Sequence, residues 1–326
     1  MLITRTPLRI SLGGGGTDLA SYYEKRGGFV LSAAIDKYVF IGMNRTFGSD
    51  YQIKYSAMEQ VDTIEQIAHP IVRACLAQHS VGPGVEIVSM ADIPAGTGLG
   101  SSGTFTVSLL RAIHAFRREH VTAAELAEQA CHVEIDLLGQ SVGKQDQYIA
   151  AFGGITAFDF HADGSVDANP LAISAEAVYE LEDRLLMFFT GYSRAAATVL
   201  SDQKRRSEAD DQEMLDNLDG VKRLGLAVKA ALESDDTRRF GELMHQHWLY
   251  KRERSKGMSN DNIDRWYDLA LKNGAVGGKL VGAGGGGFLL FYADDRRAVR
   301  AVMAEEGLPE VRFRFEHEGA KLIVND

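Results

Sequence analysis

The chain has 326 residues, 45% of them apolar and 25% charged, with a formal charge of −10. That length suits one large domain or two ordinary ones, and the acidic balance argues against general nucleic-acid binding while leaving room for a local basic pocket that takes a phosphorylated ligand. Cys75 and Cys131 fall in predicted helices as ordinary small buried residues, no apolar stretch approaches the ~20 residues needed to span a bilayer, and Met1 to Arg5 is not followed by the apolar core of a signal peptide. The expectation is a reducing, cytoplasmic setting with no membrane contact.

Residues 2–12 alternate apolar with polar or basic side chains and predict a strand near a sheet edge, since Pro7 cannot donate to a ladder. Gly13-Gly14-Gly15-Gly16-Thr17-Asp18 follows, and four successive glycines imply a tight turn or the close approach of a ligand. Asp18 is either the N-cap of a short helix over 19–25 or a polar contact to a substrate. Residues 28–45 read as two strands joined near Asp36-Lys37, 51–55 as another strand, and 67–78 as a helix. The strand 85–90 feeds Pro94-Ala95-Gly96-Thr97-Gly98-Leu99-Gly100-Ser101-Ser102, and a helix over 101–118 leads out.

Thr122 and Glu125 form a capping box that opens a helix to about Leu138. A short helix starts at Gln145, and 155–160 is a strand. A weak boundary lies at 161–182, giving lobes 1–182 and 183–326. A strand at 185–189 precedes four helices between Arg194 and Asn273. Gly282-Ala283-Gly284-Gly285-Gly286-Gly287 is a further glycine run, followed by a strand 288–292, a helix 296–306 and strands 311–315 and 321–324. The segregation of elements indicates an α+β protein of two lobes.

The loop 94–102 sits between a strand and a helix start. Its backbone N–H groups and the helix dipole make an anion site, best suited to phosphate. It is not a P-loop, because Ser101 rather than a lysine follows Gly100, and its third glycine comes one residue too early for a dinucleotide fingerprint.

Three separated glycine runs carry the specificity. Arg5-Thr6-Pro7-Leu8-Arg9 with Gly14 to Asp18, then Pro94 to Ser102, then Lys279 to Phe288 resemble, in order and across nearly the whole chain, the three motifs of the GHMP small-molecule kinases. Within that family, the Gly-Gly-Gly-Gly-Thr-Asp form and Gly143-Lys144-Gln145-Asp146-Gln147-Tyr148 most resemble the bacterial D-glycero-D-manno-heptose 7-phosphate kinases; galactokinases carry Gly-Glu-His-Thr-Asp at 14–18.

The resemblance implies a GHMP kinase fold, with an N-terminal lobe like ribosomal protein S5 domain 2, a ferredoxin-like C-terminal lobe and the site between them. It implies ATP as phosphoryl donor, held by Gly96, Thr97, Gly98, Leu99, Gly100, Ser101 and Ser102, with Mg2+ contacted by Ser102 and Glu134. Asp146 matches the catalytic aspartate, a proton acceptor for a hydroxyl, and Arg9 matches an arginine beside it that assists at the transferring phosphoryl group. Asp136, two residues from Glu134, points elsewhere on a helix. Gly14, Gly15, Thr17 and Asp18 are expected on the sugar, with Gly284 and Gly285 facing the cleft from the second lobe. A second phosphate on the substrate has Arg194 and Lys251 as candidates; Lys251, Arg252 and Arg254 together also read as a solvated basic end of a helix.

The reaction so implied is phosphorylation of the anomeric hydroxyl of a heptose 7-phosphate, feeding nucleotide-activated heptose for capsule or surface polysaccharide. A fucose or galactose kinase, and a silent sugar or nucleotide sensor, stay open as alternatives. The partners are a sugar phosphate and ATP, with no nucleic acid, and a homodimer is compatible with the sequence. The nine histidines show no ligand spacing.

Overall fold

The computed structural model describes residues 1–191, 197–255 and 257–326. Its first sheet is built on two long strands, β1 (Leu2–Gly13) and β2 (Gly28–Arg45), which pair antiparallel along their length. A single strand thus replaces the two expected over 28–45. It bends instead of breaking, because Asp36 and Lys37 have no partner between the pairs Leu8–Ile35 and Pro7–Tyr38. Pro7 falls at this register shift, where a missing N–H costs no ladder bond.

Between β1 and β2 lies α1 (Ala20–Arg26). Then come β3 (Tyr51–Lys54), β4 (Met58–Val61), α2 (Pro70–Gln78) and β5 (Val85–Ala91). β5 pairs with the second half of β2, and β6 (Ile155–Phe160) pairs with the first half, so the bulge marks the change of partner. β7 (Val166–Pro170) extends the sheet beyond β6. Three helices lie between β5 and β6: α3 (Ser101–Arg117), α4 (Ala123–Cys131) and α5 (Gln145–Phe152). The Thr122–Glu125 capping box is formed at the start of α4, but the helix does not run evenly to Leu138; residues His132–Leu137 wind as a π-helix.

The second sheet is three-stranded and antiparallel, in the order β8 (Leu185–Phe189), β10 (Phe288–Ala293), β9 (Ala275–Leu280). α6 (Ala175–Arg184) leads into it and runs across the end of the stretch expected to be a weak boundary. Four helices fill the interval as expected: α7 (Ala197–Glu208), α8 (Gln212–Glu233), α9 (Thr237–Arg254) and α10 (Asp261–Lys272). α11 (Arg296–Glu305) follows β10.

The tail departs from expectation. Residues 311–315 form no strand; Phe315 makes one bridge to Ile35, and Glu310 makes one to Phe188. β11 (Lys321–Asn325) pairs with Leu2–Arg5 of β1, so the end of the chain completes the first sheet. One hydrophobic cluster runs from Leu8 and Ile10 of β1 to Phe288 and Leu290 of β10 and joins both sheets. α8 crosses the first glycine run closely: a Cβ on Gly225 would lie 2.9 Å from the Gly14 nitrogen. Both cysteines are buried and unpaired. Among the described residues no helix is long and apolar enough to cross a membrane.

Candidate active site

A cleft of about 710 Å³ lies where the three glycine runs meet. The middle run turns from β5 into α3. Gly96, Gly98 and Gly100 have φ of +78°, +87° and +79°, a region that side chains with a Cβ avoid. Gly100 is the N-cap of α3 and supplies no side-chain cap, and Ser101 Oγ is buried with no partner. The 17-residue helix therefore presents open donors at its positive end. Gly96, Gly98, Gly100, Ser101 and Ser102 line the cleft. Thr97 and Leu99 do not: Thr97 Oγ1 donates to Pro94 O at 2.9 Å and the Leu99 side chain is buried in the core, so both shape the loop from within.

Arg9 on β1 reaches under this loop. Its backbone N–H donates to Leu99 O at 3.1 Å and its Nη1 to Gly98 O at 2.6 Å. Its Nε and Nη2 both approach Asp146 Oδ1 at 2.7 Å. Asp146 sits in the first turn of α5 but is not its N-cap, which is Lys144. Gly100 and Gly103 leave the room: added Cβ atoms there would lie 3.1 Å from Arg9 Cγ and 2.8 Å from Asp146 Cβ.

Ser102 Oγ donates to Glu134 Oε1, and Gln147 Nε2 donates to Glu134 Oε2 at 2.7 Å. The π-helical winding carries Glu134 inward, where burial pushes its carboxyl up to about 7 against the two hydrogen bonds. Asp136 instead lies toward solvent, paired with His132. The buried Glu134 carboxyl and the Ser102 hydroxyl, which is open to the cleft, are hard oxygen donors of the kind that suit a small divalent cation.

In the first run, Gly15, Gly16 and Asp18 line the cleft, whereas Gly14 and Thr17 do not. A Cβ on Gly14 would lie 2.0 Å from Phe29 O, and Thr17 Oγ1 accepts from Phe29 N–H at 3.0 Å, so these two pin the run to β2. Asp18 is not a helix cap, because α1 begins after Leu19. Its Oδ1 accepts from Gly16 N–H at 3.0 Å and its Oδ2 from Gln145 N–H at 3.1 Å. Burial raises its carboxyl above the ordinary range, opposed by those N–H donors.

The third run closes the cleft from the second sheet. A Cβ on Gly282 would lie 2.5 Å from Gly98 Cα, so the second and third runs touch backbone to backbone. Gly284 lines the cleft; Gly285 does not, and donates from its N–H to Met258 O at 3.0 Å. Lys251 on α9 is buried, with Nζ donating to Leu280 O at 2.7 Å and to Gly282 O. Arg252, by contrast, is exposed and faces Asp264. His247, Lys251 and Arg254, at i, i+4 and i+7, share one buried face toward the cleft, and Lys279 of β9 joins them. The expected solvated face is therefore confined to Arg252. Arg194 lies outside the described residues.

His247, Gln203 and Gln147 were not legible as site residues, and Lys279 only as the first residue of the third motif; folding brings them to the glycine runs, with Gln203 Nε2 donating to Gly16 O at 2.7 Å. Elsewhere, His79, His114 and Glu119 bring ligand atoms within 4.8 Å of one another. Arg117 Nε already neutralises that carboxylate at 2.7 Å.

Comparisons with known proteins agree with this architecture. Residues 63–154 match the GHMP kinases N terminal domain and residues 228–307 the GHMP kinases C terminal. The D-glycero-alpha-D-manno-heptose 7-phosphate kinase of Campylobacter jejuni is 31% identical over 98% of this chain and 97% of its own. The L-fucokinase/L-fucose-1-P guanylyltransferase of Bacteroides fragilis is 27% identical over 95% of this chain, which spans only 37% of that longer protein. The crystal structure of a D-glycero-D-manno-heptose 1-phosphate kinase from Bacteroides thetaiotaomicron superposes over 100% of both chains, with a TM-score of 0.82 and 25% identity. With the three glycine runs converging on one cleft, and with a relative this similar along its full length, the chain belongs to the GHMP kinase family.

Proposed function

We propose that this protein is an ATP-dependent sugar kinase that phosphorylates the anomeric hydroxyl of D-glycero-D-manno-heptose 7-phosphate, giving the 1,7-bisphosphate. The observation that carries the reading is that one guanidinium, Arg9, ties a cleft carboxylate, Asp146, to the glycine loop at the start of α3. A proton acceptor and a phosphate site are thereby held side by side, as in-line transfer to a hydroxyl requires.

In this reading the ATP phosphates lie on Gly96, Gly98, Gly100, Ser101 and Ser102. Asp146 takes the proton of the anomeric hydroxyl as its oxygen bonds to the γ-phosphorus. The bond to the β–γ bridging oxygen breaks and ADP leaves. Arg9 orients Asp146 and faces the charge that spreads over the transferring group. Ser102 and Glu134 would hold Mg2+, which when bound neutralises phosphate charge. Asp18, Gly15 and Gly284 would contact the sugar. The product would feed nucleotide-activated heptose for surface polysaccharide.

The test supplies purified protein with ATP, Mg2+ and one sugar at a time: the heptose 7-phosphate, the same heptose unphosphorylated, L-fucose and D-galactose. ADP release should be fastest with the heptose 7-phosphate, and phosphorus NMR should show a new anomeric phosphoester beside the retained 7-phosphate. Turnover confined to the unphosphorylated sugars, or absent with the heptose 7-phosphate, sinks the substrate assignment.

A further inference from the structure

The second-lobe wall of the cleft carries more basic side chains than the transfer of one phosphoryl group uses. His247, Lys251 and Arg254 of α9 and Lys279 of β9 are all buried, and among the described residues none has a carboxylate within salt-bridge distance. Burying an unpaired cation costs on the order of several kcal/mol, so the fold tolerates such a group only where something else supplies acceptors.

For Lys251 the acceptors are the carbonyls of Leu280 and Gly282. The other three keep donors in reserve. Arg254 donates from Nη1 to Gly15 O at 3.2 Å and from Nε to Asn217 Oδ1 at 3.1 Å, but its buried Nη2 has no partner. His247 Nε2 is likewise buried and unpartnered. Lys279 Nζ meets His247 Nδ1 at 3.3 Å. Burial and mutual repulsion, with Arg9 and Arg254 contributing, push Lys279 down to about 7, and burial lowers Arg254 to about 10. Asp18 is the carboxylate that bears on Arg254, at longer range.

A neutral sugar hydroxyl brings no charge to such a wall. A phosphomonoester brings up to two negative charges and three strong acceptor oxygens. We infer that Arg254, His247 and Lys279 form the subsite for the phosphate that the acceptor sugar already carries, and so select phosphomonoester sugars over free ones. This rests on the kinase reading above. Lys251 acts one step back, holding the third glycine run against the wall.

The experiment compares wild type with Arg254→Gln and Lys279→Met, using heptose 7-phosphate and the unphosphorylated heptose as acceptors. Each lost charge-assisted bond should raise KM for the phosphosugar by about tenfold to a hundredfold. KM for ATP should stay within about threefold, and turnover of the free heptose should fall much less than turnover of the phosphosugar. An unchanged preference, or a loss that falls on KM for ATP, overturns the assignment. Because Lys279→Met removes an uncompensated buried charge, the ligand-free variant should melt no lower than wild type, which shows that it folds. If no sugar is turned over at all, the kinase reading fails, and thermal shift then tests the subsite alone. Heptose 7-phosphate and inorganic phosphate should stabilise wild type but not the doubly substituted protein; equal stabilisation of both overturns it.

Discussion

Arg9 and Asp146 meet through a single oxygen. Arg9 Nε and Nη2 both lie 2.7 Å from Asp146 Oδ1, and among the described residues Oδ2 is left without a protein partner. The guanidinium therefore orients the carboxylate without consuming it, and the second oxygen is left for the proton-acceptor role proposed above. Asp146→Asn keeps the shape and removes the basicity. It should lower kcat by about 10²–10⁴-fold and leave ATP affinity, measured by calorimetry with a non-hydrolysable analogue, nearly unchanged. Near-normal turnover would exclude Asp146 as the base.

Glu134 makes stability depend on pH, and with it any Mg2+ binding of the kind proposed above. Its folded-state carboxyl is raised from 4.5 to about 7. Between those values the native state holds a proton that the unfolded state has lost, so this residue's contribution weakens as pH rises and levels off above about 7. In metal-free buffer, Glu134→Gln should thus melt above wild type at pH 8, with the gap closing toward pH 5. Mg2+ with an ATP analogue should stabilise wild type more at pH 8 than at pH 6, because the cation competes with the proton. The Glu134→Gln variant should lose that difference, and a Mg2+ shift equal in both proteins would show that the cation sits elsewhere.

The contact of the second and third glycine runs is steric. Gly282 has φ +81°, and its Cβ would lie 2.5 Å from Gly98 Cα and O, so Gly282→Ala must part the two runs. Gly307 has φ +75° with nothing near its Cβ position, so Gly307→Ala adds backbone strain alone. The control should cost about 1 kcal/mol. Gly282→Ala should cost more than that by denaturant titration and should also raise KM for ATP severalfold.

Gly143 shields the Asp18 carboxylate. A Cβ there would lie 1.9 Å from Asp18 Oδ2, and its φ is outside the left-handed region, so the effect is displacement and not backbone strain. Gly143→Ala should raise KM for the sugar about tenfold or more, as loss of a charge-assisted contact does, with KM for ATP unaffected. Equal rises in both would place Asp18 in the general architecture of the cleft and not on the acceptor.

Much of the site was legible because its signals are local. Alternating glycines at 96, 98 and 100, the four at 13–16 and the run at 282–287 read as close backbone approaches, and all three reach one cleft. The Thr122–Glu125 box, the four helices before Asn273 and the strand before the loop follow from neighbouring residues alone. Residues 311–315 show where this fails. Their alternation suits a strand, yet the edge available to them is met only at single bridges. The bend at Asp36-Lys37 reads as a break in the sequence, because nothing local says that β1 continues past it.

By itself, then, the sequence determined which segments meet at the cleft, since a backbone that must approach a ligand or another backbone closely needs glycine wherever it lies in the chain. The family resemblance implied that Arg9 lies beside Asp146; tertiary structure alone decided which other charged side chains share the cleft. Arg9 and Asp146 stand 137 positions apart, and Lys279 and His247 stand 32 apart. Whether a lysine on a strand is solvated or buried beside a histidine depends on which helix covers that strand, and here α9 covers β9. The loop from Pro94 to Ser102 announces a phosphate site in nine residues; the charge that would choose the sugar is assembled only when the second sheet closes over it.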